Sequence, residues 1–159
     1  MTAPLNLLQI DVRPDWIDYN DHMNVAYYVM VFDQAMDEFL NLYGLGKDYT
    51  LGGHGSVFAL QNHLHYMREV SLGTRLGVNL QLLDLDAKRF HVFFRMRDLS
   101  NDQVVSTSEL LCIHVNVQTR RSAIFPAPQR QQLDVLFKDH SKLAKPKAAG
   151  HRIGTAATL

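Results

Sequence analysis

The stretch that decides the fold is residues 12–28, VRPDWIDYNDHMNVAYY, where a short apolar segment gives way to a helical pattern. Within seven positions it holds Asp18, Asn20, Asp21, His22 and Asn24. One interpretation is that Asn24 caps the helix and the other residues form a solvated turn. The other is that the Asp18 carboxylate lies beside the helix N-terminus. Free backbone N–H groups and the positive end of the helix dipole can stabilise a developing oxyanion there.

The residues that follow predict one long helix over Asn24–Tyr43. Apolar side chains recur every three or four positions, and one polar side is formed by Asp33, Gln34, Asp37 and Asn41. The first half of the segment is apolar on nearly all sides, which indicates a helix that is buried on more than one face. Asn24 is the expected N-cap, and Gly44 is the expected C′ residue.

Five segments have the composition or the alternation of β-strands. They are Leu5–Val12, Ser56–Glu69, Thr74–Leu82, Lys88–Arg97 and Val104–Val117. A change of phase at Leu83 and Leu85 predicts a β-bulge, and residues 100–102 predict a hairpin turn. The Gly-rich segment Gly44–Gly55 is predicted to be a loop, and Pro126–Phe137 a short terminal helix.

The order of these elements predicts an α+β fold. Consecutive strands with short connections form an antiparallel sheet, and one helix covers only one face of it. The sheet therefore has to curl around the helix, and its exposed edges need cover. Pairing of an edge with a second copy of the chain is the expected solution, so we expect a homodimer or a homotetramer.

Composition and charge indicate a single soluble domain. The chain has 159 residues, 47% of them hydrophobic, with 16 basic and 16 acidic side chains. Zero net charge argues against binding nucleic acid through phosphate contacts. The single Cys112 excludes an internal disulfide and fits a reducing compartment, and no segment is typical of a secretory signal or a membrane span. We therefore expect a cytoplasmic domain over residues 1–139 and a basic, flexible tail over 140–159.

The motif around Asp18 resembles that of the hotdog-fold thioesterases of the 4-hydroxybenzoyl-CoA thioesterase type. The match is carried by Asp18, His22, Met23, Asn24 and Tyr28, and the resemblance covers about residues 5–120. In that family a strand leads through an Asp and a His-Met-Asn or His-Val-Asn triplet into a central helix that contains a Tyr. This chain departs from the pattern at Asp21, where the family commonly has Gly before the His.

The resemblance implies a hotdog fold and hydrolysis of an acyl-CoA thioester with no metal or other cofactor. Asp18 would be the catalytic carboxylate, acting either as a general base on water or as a nucleophile. The backbone N–H of Val25, with Asn24 beside it, would hold the oxyanion. His22 would orient Asp18, contact the thioester or brace the loop.

Three other segments give a closer resemblance, to the thioesterases of bacterial carnitine breakdown that act on betainyl-CoA. These segments are residues 56–63, 66–70 and 82–89. A betainyl group carries a trimethylammonium cation, which aromatic faces can bind through cation–π contacts. The candidate walls are Trp16, Tyr19, Tyr49 and Tyr66, and His63 could reach the pocket from a neighbouring subunit.

Two other functions fit the same fold. A hotdog hydratase or dehydratase resembles Asp-x-Asn-Pro-x-His, but here His22 follows Asp18 by four positions and no Pro lies between them. A non-catalytic protein that binds acyl-CoA would not need Asp18. A metal site is disfavoured, because the His63/His65 and Cys112/His114 pairs lack the carboxylates that would complete a ligand set.

Overall fold

A computed structural model describes residues 3–155 and contains an antiparallel sheet curled around one long helix. The strands are β1 (Leu5–Asp11), β2 (Ser56–Tyr66), β3 (Arg75–Leu85), β4 (Arg89–Asp98), β5 (Gln103–Asn116) and β6 (Arg121–Ser122). The helices are α1 (Val25–Leu42), α2 (Lys47–Leu51) and α3 (Ala127–His140), with a single 3-10 turn at Pro14–Trp16. This is the α+β architecture that the sequence predicts.

The sheet order is β1-β3-β4-β5-β2, with the short β6 paired to the end of β5. All the pairings are antiparallel. The predicted bulge is present, since the β3–β4 register shifts between Leu82 and Asp84. Within the described residues 3–155, β2 pairs only with β5, so its other edge presents unpaired backbone groups.

Helix α1 begins and ends where the sequence predicts. The Asn24 side chain accepts a hydrogen bond from the Ala26 N–H (3.0 Å). At the other end Gly44 has a φ of 66°, and the N–H groups of Gly44 and Leu45 donate to the carbonyls of Asn41 and Leu40. This pair of bonds is a Schellman cap, and it satisfies carbonyls that the last turn would otherwise leave unpaired.

The core lies between α1 and the concave face of the sheet. The buried residues of α1 are Tyr28, Val31, Phe32, Ala35, Met36, Phe39 and Leu40. They meet a layer of alternating sheet residues that includes Leu80, Phe90 and Phe94. Cys112 is also buried there, and burial raises the pKa of its thiol to about 12, so the thiol stays protonated and unreactive.

Two of the sequence predictions need correction in the helical parts. Residues 44–55 are not all loop, because α2 forms one and a half turns within them. Helix α3 extends the predicted Pro126–Phe137 segment to His140 and packs on β3.

Beyond α3, the Ala144 carbonyl accepts a hydrogen bond from Gln81, and the Gly150 N–H donates to Glu109. The flexibility of residues 140–159 stays a prediction, and 156–159 lie outside the described residues.

His140 joins three parts of the fold through its buried imidazole. Its Nδ1 accepts the Leu82 N–H (2.8 Å), and its Nε2 is 3.2 Å from the Ala3 carbonyl. The pairing of β1 with β3 begins opposite Leu80, so the N–H of Leu82 lies beyond it and needs another partner. An imidazole can accept at Nδ1 only while that nitrogen carries no proton.

We expect the stability of the protein to fall in mild acid partly because of His140. Burial holds the pKa of His140 below its usual range, and the Ala3 carbonyl and Asp139 oppose this shift. As the pH drops below about 6.5, the unfolded state takes up a proton that the folded state resists, so the free energy of unfolding decreases. Urea unfolding of His140→Gln should show a weaker decrease between about pH 7 and about pH 5. The exposed His54→Gln should retain the full decrease, and equal pH dependence in both variants would contradict the assignment.

Candidate active site

A compact loop positions the polar residues that precede α1. The Asp18 N–H donates to the His22 carbonyl (3.1 Å), and the Asp21 N–H donates to the Asp18 carbonyl (3.0 Å). Asp21 has a φ of 64°, a left-handed conformation that Gly adopts freely and that Asp tolerates better than most residues. The replacement of the family's Gly by Asp21 is therefore compatible with the turn.

The loop holds the Asp18 side chain next to the first turn of α1. Asp18 Oδ1 accepts the Asn20 N–H (2.8 Å), and Oδ2 accepts Asn24 Nδ2 (3.2 Å). The same Asn24 side chain caps the Ala26 N–H through its Oδ1. One amide group thus ties the carboxylate to the positive end of the helix dipole.

The backbone N–H of Val25 is a free donor at this helix end. It is the first helical residue, so it has no partner within α1, and no other acceptor in residues 3–155 bonds to it. Val25 is 57% exposed, so this end of the helix lies at the surface of the chain. A free N–H near a helix N-terminus can stabilise an oxyanion, as the sequence predicts for this residue.

The predicted aromatic walls are in very different surroundings. Trp16 is only 2% exposed, because its ring stacks on Tyr27 (5.5 Å between centroids) with the Arg13 guanidinium over it. Tyr19, which follows Asp18, is 96% exposed and available to a ligand. The placement of Trp16 suits support of the loop, and that of Tyr19 suits contact with a ligand.

Tyr66 lies at the end of β2 that is nearest the helix N-terminus. Its ring packs edge-on against Tyr28 of α1, with centroids 5.3 Å apart. The Tyr28 hydroxyl donates to the Arg68 carbonyl (3.1 Å). Burial, with Glu69 and Tyr66 nearby, raises the pKa of Tyr28 to about 12, so the phenol stays neutral and keeps its donor role. The structure therefore brings Tyr66 close to the start of α1.

A cavity of about 280 Å³ opens between α1 and strands β2 and β5. Its walls are formed by Val29, Phe32, Asp33, Met36, Asp37, Leu40, Val57, Ala59, Asn62, Leu110 and Cys112. The helical period of the sequence predicts only that Asp33 and Asp37 lie on the polar side of the helix. Val25, Val29, Asp33 and Asp37 follow one another at intervals of four residues. This spacing is the signal in the sequence that could have identified the two carboxylates as part of one helix surface.

Two other predicted site residues, His63 and Tyr49, lie away from this end of α1. Asn62 faces the cavity, so its neighbour His63 points to the opposite face of the sheet, where its ring lies edge-on to His65 (4.5 Å). Tyr49 is on α2, and its hydroxyl is 2.9 Å from His114 Nε2. The structure thus brings Asp18, Asn24, Val25 and Tyr66 to one end of α1, but not His63 or Tyr49.

His22 supplies its backbone to the loop, and its imidazole forms no hydrogen bond within residues 3–155. In the same range no group of three or more His, Cys, Asp or Glu side chains is arranged to hold a metal ion. No helix between residues 3 and 155 is both long and apolar enough to cross a membrane. The groups that the site does present are the Asp18 carboxylate, the Asn24 amide side chain and the free backbone N–H of Val25.

Comparison with known proteins shows the family of the chain. A family model described as the thioesterase-like superfamily matches residues 12–133. The betainyl-CoA thioesterase of Pseudomonas aeruginosa is 34% identical over 155 residues, which is 97% of each chain. The L-carnitine dehydrogenase/betainyl-CoA thioesterase of Rhizobium meliloti is 33% identical over 153 residues. That alignment covers 96% of this chain but 31% of the relative, so this chain spans about a third of the fused protein's length.

A solved structure extends the comparison to the fold. The solved structure of a Staphylococcus aureus protein in complex with CoA superposes with a TM-score of 0.88 and 28% identity, covering 97% of this chain and 98% of that one. The structural neighbours include a 1,4-dihydroxy-2-naphthoyl-CoA thioesterase from Synechocystis, with a TM-score of 0.72. With a curled sheet around one central helix and a family model that spans most of the sequence, the chain belongs to the thioesterase-like superfamily and has the hotdog fold.

Proposed function

We propose that this chain is an acyl-CoA thioesterase that hydrolyses betainyl-CoA to betaine and CoA. The observation that carries the proposal is the Asp18 carboxylate, which Asn24 holds at the N-terminus of α1 next to the free N–H of Val25. A thioester hydrolase needs a base or nucleophile and a donor for the oxyanion, and these two groups supply both.

The reaction can follow either of two routes from this geometry. In the first, Asp18 takes a proton from water, the resulting hydroxide attacks the thioester carbon, and the C–S bond breaks to release CoA. In the second, Asp18 attacks the carbon itself, CoA leaves as the thiolate, and water then hydrolyses the mixed anhydride. Both routes produce a carboxylate and CoA, and both place the developing oxyanion at the Val25 N–H.

Support for a betainyl substrate comes from two sources. The curated relatives carry betainyl-CoA thioesterase in their names and align along nearly all of this chain. The cavity beside α1 has apolar walls and two carboxylates, from Asp33 and Asp37, and none of its described lining residues is basic. Apolar walls and negative charge without a positive partner suit a quaternary ammonium group, which cannot donate a hydrogen bond.

We further propose that the active form is a homodimer, or a homotetramer built from such dimers, in the cytoplasm. The unpaired edge of β2 offers backbone groups to a second copy, and the adjacent exposed side chains Leu60, Tyr66 and Met67 offer apolar area. The free thiol of Cys112 fits a reducing compartment. Size-exclusion chromatography with light scattering tests the assembly, and a monomer would contradict it.

The function is tested by thiol release from a panel of acyl-CoA substrates. The panel contains betainyl-, acetyl-, 4-hydroxybenzoyl- and long-chain acyl-CoA, and we expect the highest kcat/KM for betainyl-CoA. The buried Cys112 should contribute no signal of its own to a thiol assay of the folded protein. A preference for a neutral acyl chain would retain the thioesterase and reject the substrate. Tight binding of acyl-CoA without any hydrolysis would favour a non-catalytic binding protein.

Replacing Asn24 should separate its capping role from its role in holding Asp18. Asn24→Ala loses both hydrogen bonds, so we expect the free energy of unfolding to decrease by about 0.5–2 kcal/mol and kcat to fall. Asn24→Asp keeps a capping oxygen but replaces the donor to Asp18 with a like charge, so kcat should fall while stability is largely retained. Urea unfolding and steady-state kinetics measure the two effects. Wild-type kcat in Asn24→Asp would show that the Asn24–Asp18 bond has no catalytic role.

A further inference from the structure

Asp33 cannot reach the acyl group that is bound at the active site of its own subunit. Val25 and Asp33 are eight positions apart on α1, which is about 12 Å along the helix axis. In a betainyl group only one carbon separates the carbonyl carbon from the quaternary nitrogen, so these two atoms are about 2.5 Å apart. If the carbonyl lies at the Val25 N–H, the cation therefore lies far from the Asp33 of the same chain.

A second copy of the chain removes this difficulty. Val25, Val29, Asp33 and Asp37 follow one another at intervals of four residues and form one stripe on α1. Val25 and Val29 are 57% and 39% exposed, so this part of α1 presents apolar side chains outside the core. The stripe adjoins the unpaired edge of β2, so one partner could cover both surfaces. We define this stripe as the α1 stripe.

The charges on the α1 stripe determine how two copies fit together. Its N-terminal end carries the positive end of the helix dipole and the free Val25 N–H, and its other end carries the Asp33 and Asp37 carboxylates. Neither carboxylate forms an ion pair with another group in residues 3–155. Two copies that pack antiparallel about Val29 bring each acidic end to the positive end of the other copy.

The same arrangement fixes which residues face each other. Val25 and Asp33 lie four positions on either side of Val29, so a two-fold axis at Val29 places Val25 of one copy opposite Asp33 of the other. Packed helix axes are about 8–10 Å apart, so a side chain on one helix can reach the facing position on the other. A two-fold axis at Asp33 would instead place the Asp33 carboxylates of the two copies opposite each other.

We propose that this chain forms a two-fold dimer in which the partner's Asp33 binds the trimethylammonium group of the acyl substrate at each active site. The inference rests on the proposed betainyl-CoA thioesterase function. The apolar cavity walls, with Phe32 and Met36 among them, meet the methyl groups, while the carboxylate meets the charge. Asp37 lies one turn farther along the cavity and adds to its negative potential. Burial, with Asp33 and Glu38 nearby, raises the pKa of Asp37 above its usual range, as expected for a site that lacks a cation.

The first test compares betainyl-CoA with its neutral isostere, 3,3-dimethylbutyryl-CoA, in which carbon replaces the quaternary nitrogen. We expect Asp33→Asn to lower kcat/KM for betainyl-CoA by about 10- to 100-fold and to leave the isostere almost unchanged. Asp33→Glu should recover part of the loss. Glu38→Gln is the matched control, because Glu38 is an exposed acid of the same helix that does not line the cavity. An equal loss with both substrates, or no loss with either, would overturn the proposal.

The second test asks which subunit supplies Asp33. Chains with Asp18→Asn and chains with Asp33→Asn are unfolded together and refolded as a mixture. If Asp33 acts on the partner's site, each mixed dimer has one intact site and one site with both changes. The mixture should then recover about a quarter of the wild-type betainyl-CoA activity, since about half of the dimers are mixed. If Asp33 acts within its own subunit, no site is intact and no recovery occurs, which would overturn the proposal.

The two proposals fail in different ways. Wild-type chain that releases no thiol from any acyl-CoA would reject the thioesterase and, with it, this inference. Wild-type chain that hydrolyses betainyl-CoA but is unaffected by Asp33→Asn would reject only the inference. Wild-type chain that hydrolyses betainyl-CoA as a monomer would reject the inference and the proposed assembly and leave the thioesterase in place.

Discussion

Replacing Asp18 with asparagine is expected to lower kcat for thioester hydrolysis by about 10²- to 10⁴-fold. Asparagine has almost the same shape, and its side-chain oxygen can still accept one of the two hydrogen bonds that Asn20 and Asn24 now donate. It can neither take a proton from water nor attack the thioester carbon, so both routes are blocked. KM should change little, because the carboxylate acts on the transition state more than on the bound substrate.

The control for this variant is Asp15→Asn. Asp15 is an exposed acid in the 3-10 turn that precedes Asp18, and no hydrogen bond or ion pair of its side chain is found within residues 3–155. We expect Asp15→Asn to retain wild-type kcat and both variants to unfold at nearly the same urea concentration. An Asp18→Asn chain with full activity would remove Asp18 from the mechanism.

Replacing Phe39 with alanine is expected to lower the free energy of unfolding by about 3–5 kcal/mol. Phe39 is 0% exposed and packs against Phe90 of the sheet and Tyr43 of its own helix, with centroid distances of 5.6 and 4.9 Å. Truncation removes the buried ring and leaves a cavity between α1 and β4, which a close-packed core cannot fill without strain. Urea unfolding at one fixed protein concentration measures the effect.

Leu42→Ala provides the comparison for Phe39→Ala. Leu42 is in the last turn of the same helix, but its side chain is 63% exposed. Both changes introduce alanine into α1, and alanine has a high helix propensity in each case. The difference between the two losses of unfolding free energy therefore reports the loss of packing. We expect Leu42→Ala to change the free energy of unfolding by about 0.5 kcal/mol or less. Losses of similar size in the two variants would show that Phe39 does not carry the core contact assigned to it.

The parts of the fold that depend on local signals could be predicted from the sequence. The cap at Asn24, the left-handed Gly44 and the spacing of apolar residues define α1 without help from the rest of the chain. The site residues Asp18, Asn24 and Val25 lie within eight positions, so their proximity follows from one turn and one helix start. Helix α2 was missed because a helix of five residues has too few turns to show a period.

The parts that depend on tertiary arrangement could not be predicted. The β2–β5 register shifts between Ala59 and Gln61, so the residues that face α1 change from odd to even positions within β2. This bulge turns His63 away from the cavity, and the alternation of residues in the sequence does not predict the bulge. The cavity that contains Asp33 and Asp37 needs residues from α1, β2 and β5, and only their assembly shows that the two carboxylates share an apolar space.

The measurement that tests the central claim most directly is the initial rate of thiol release from betainyl-CoA. Wild-type chain and Asp18→Asn are assayed side by side at the same concentration, with circular dichroism to show that both are folded. The proposed mechanism predicts rapid release of CoA by the wild type and a rate at least about 100-fold lower for Asp18→Asn. Equal rates for the two chains, or no release by a folded wild type, would contradict it.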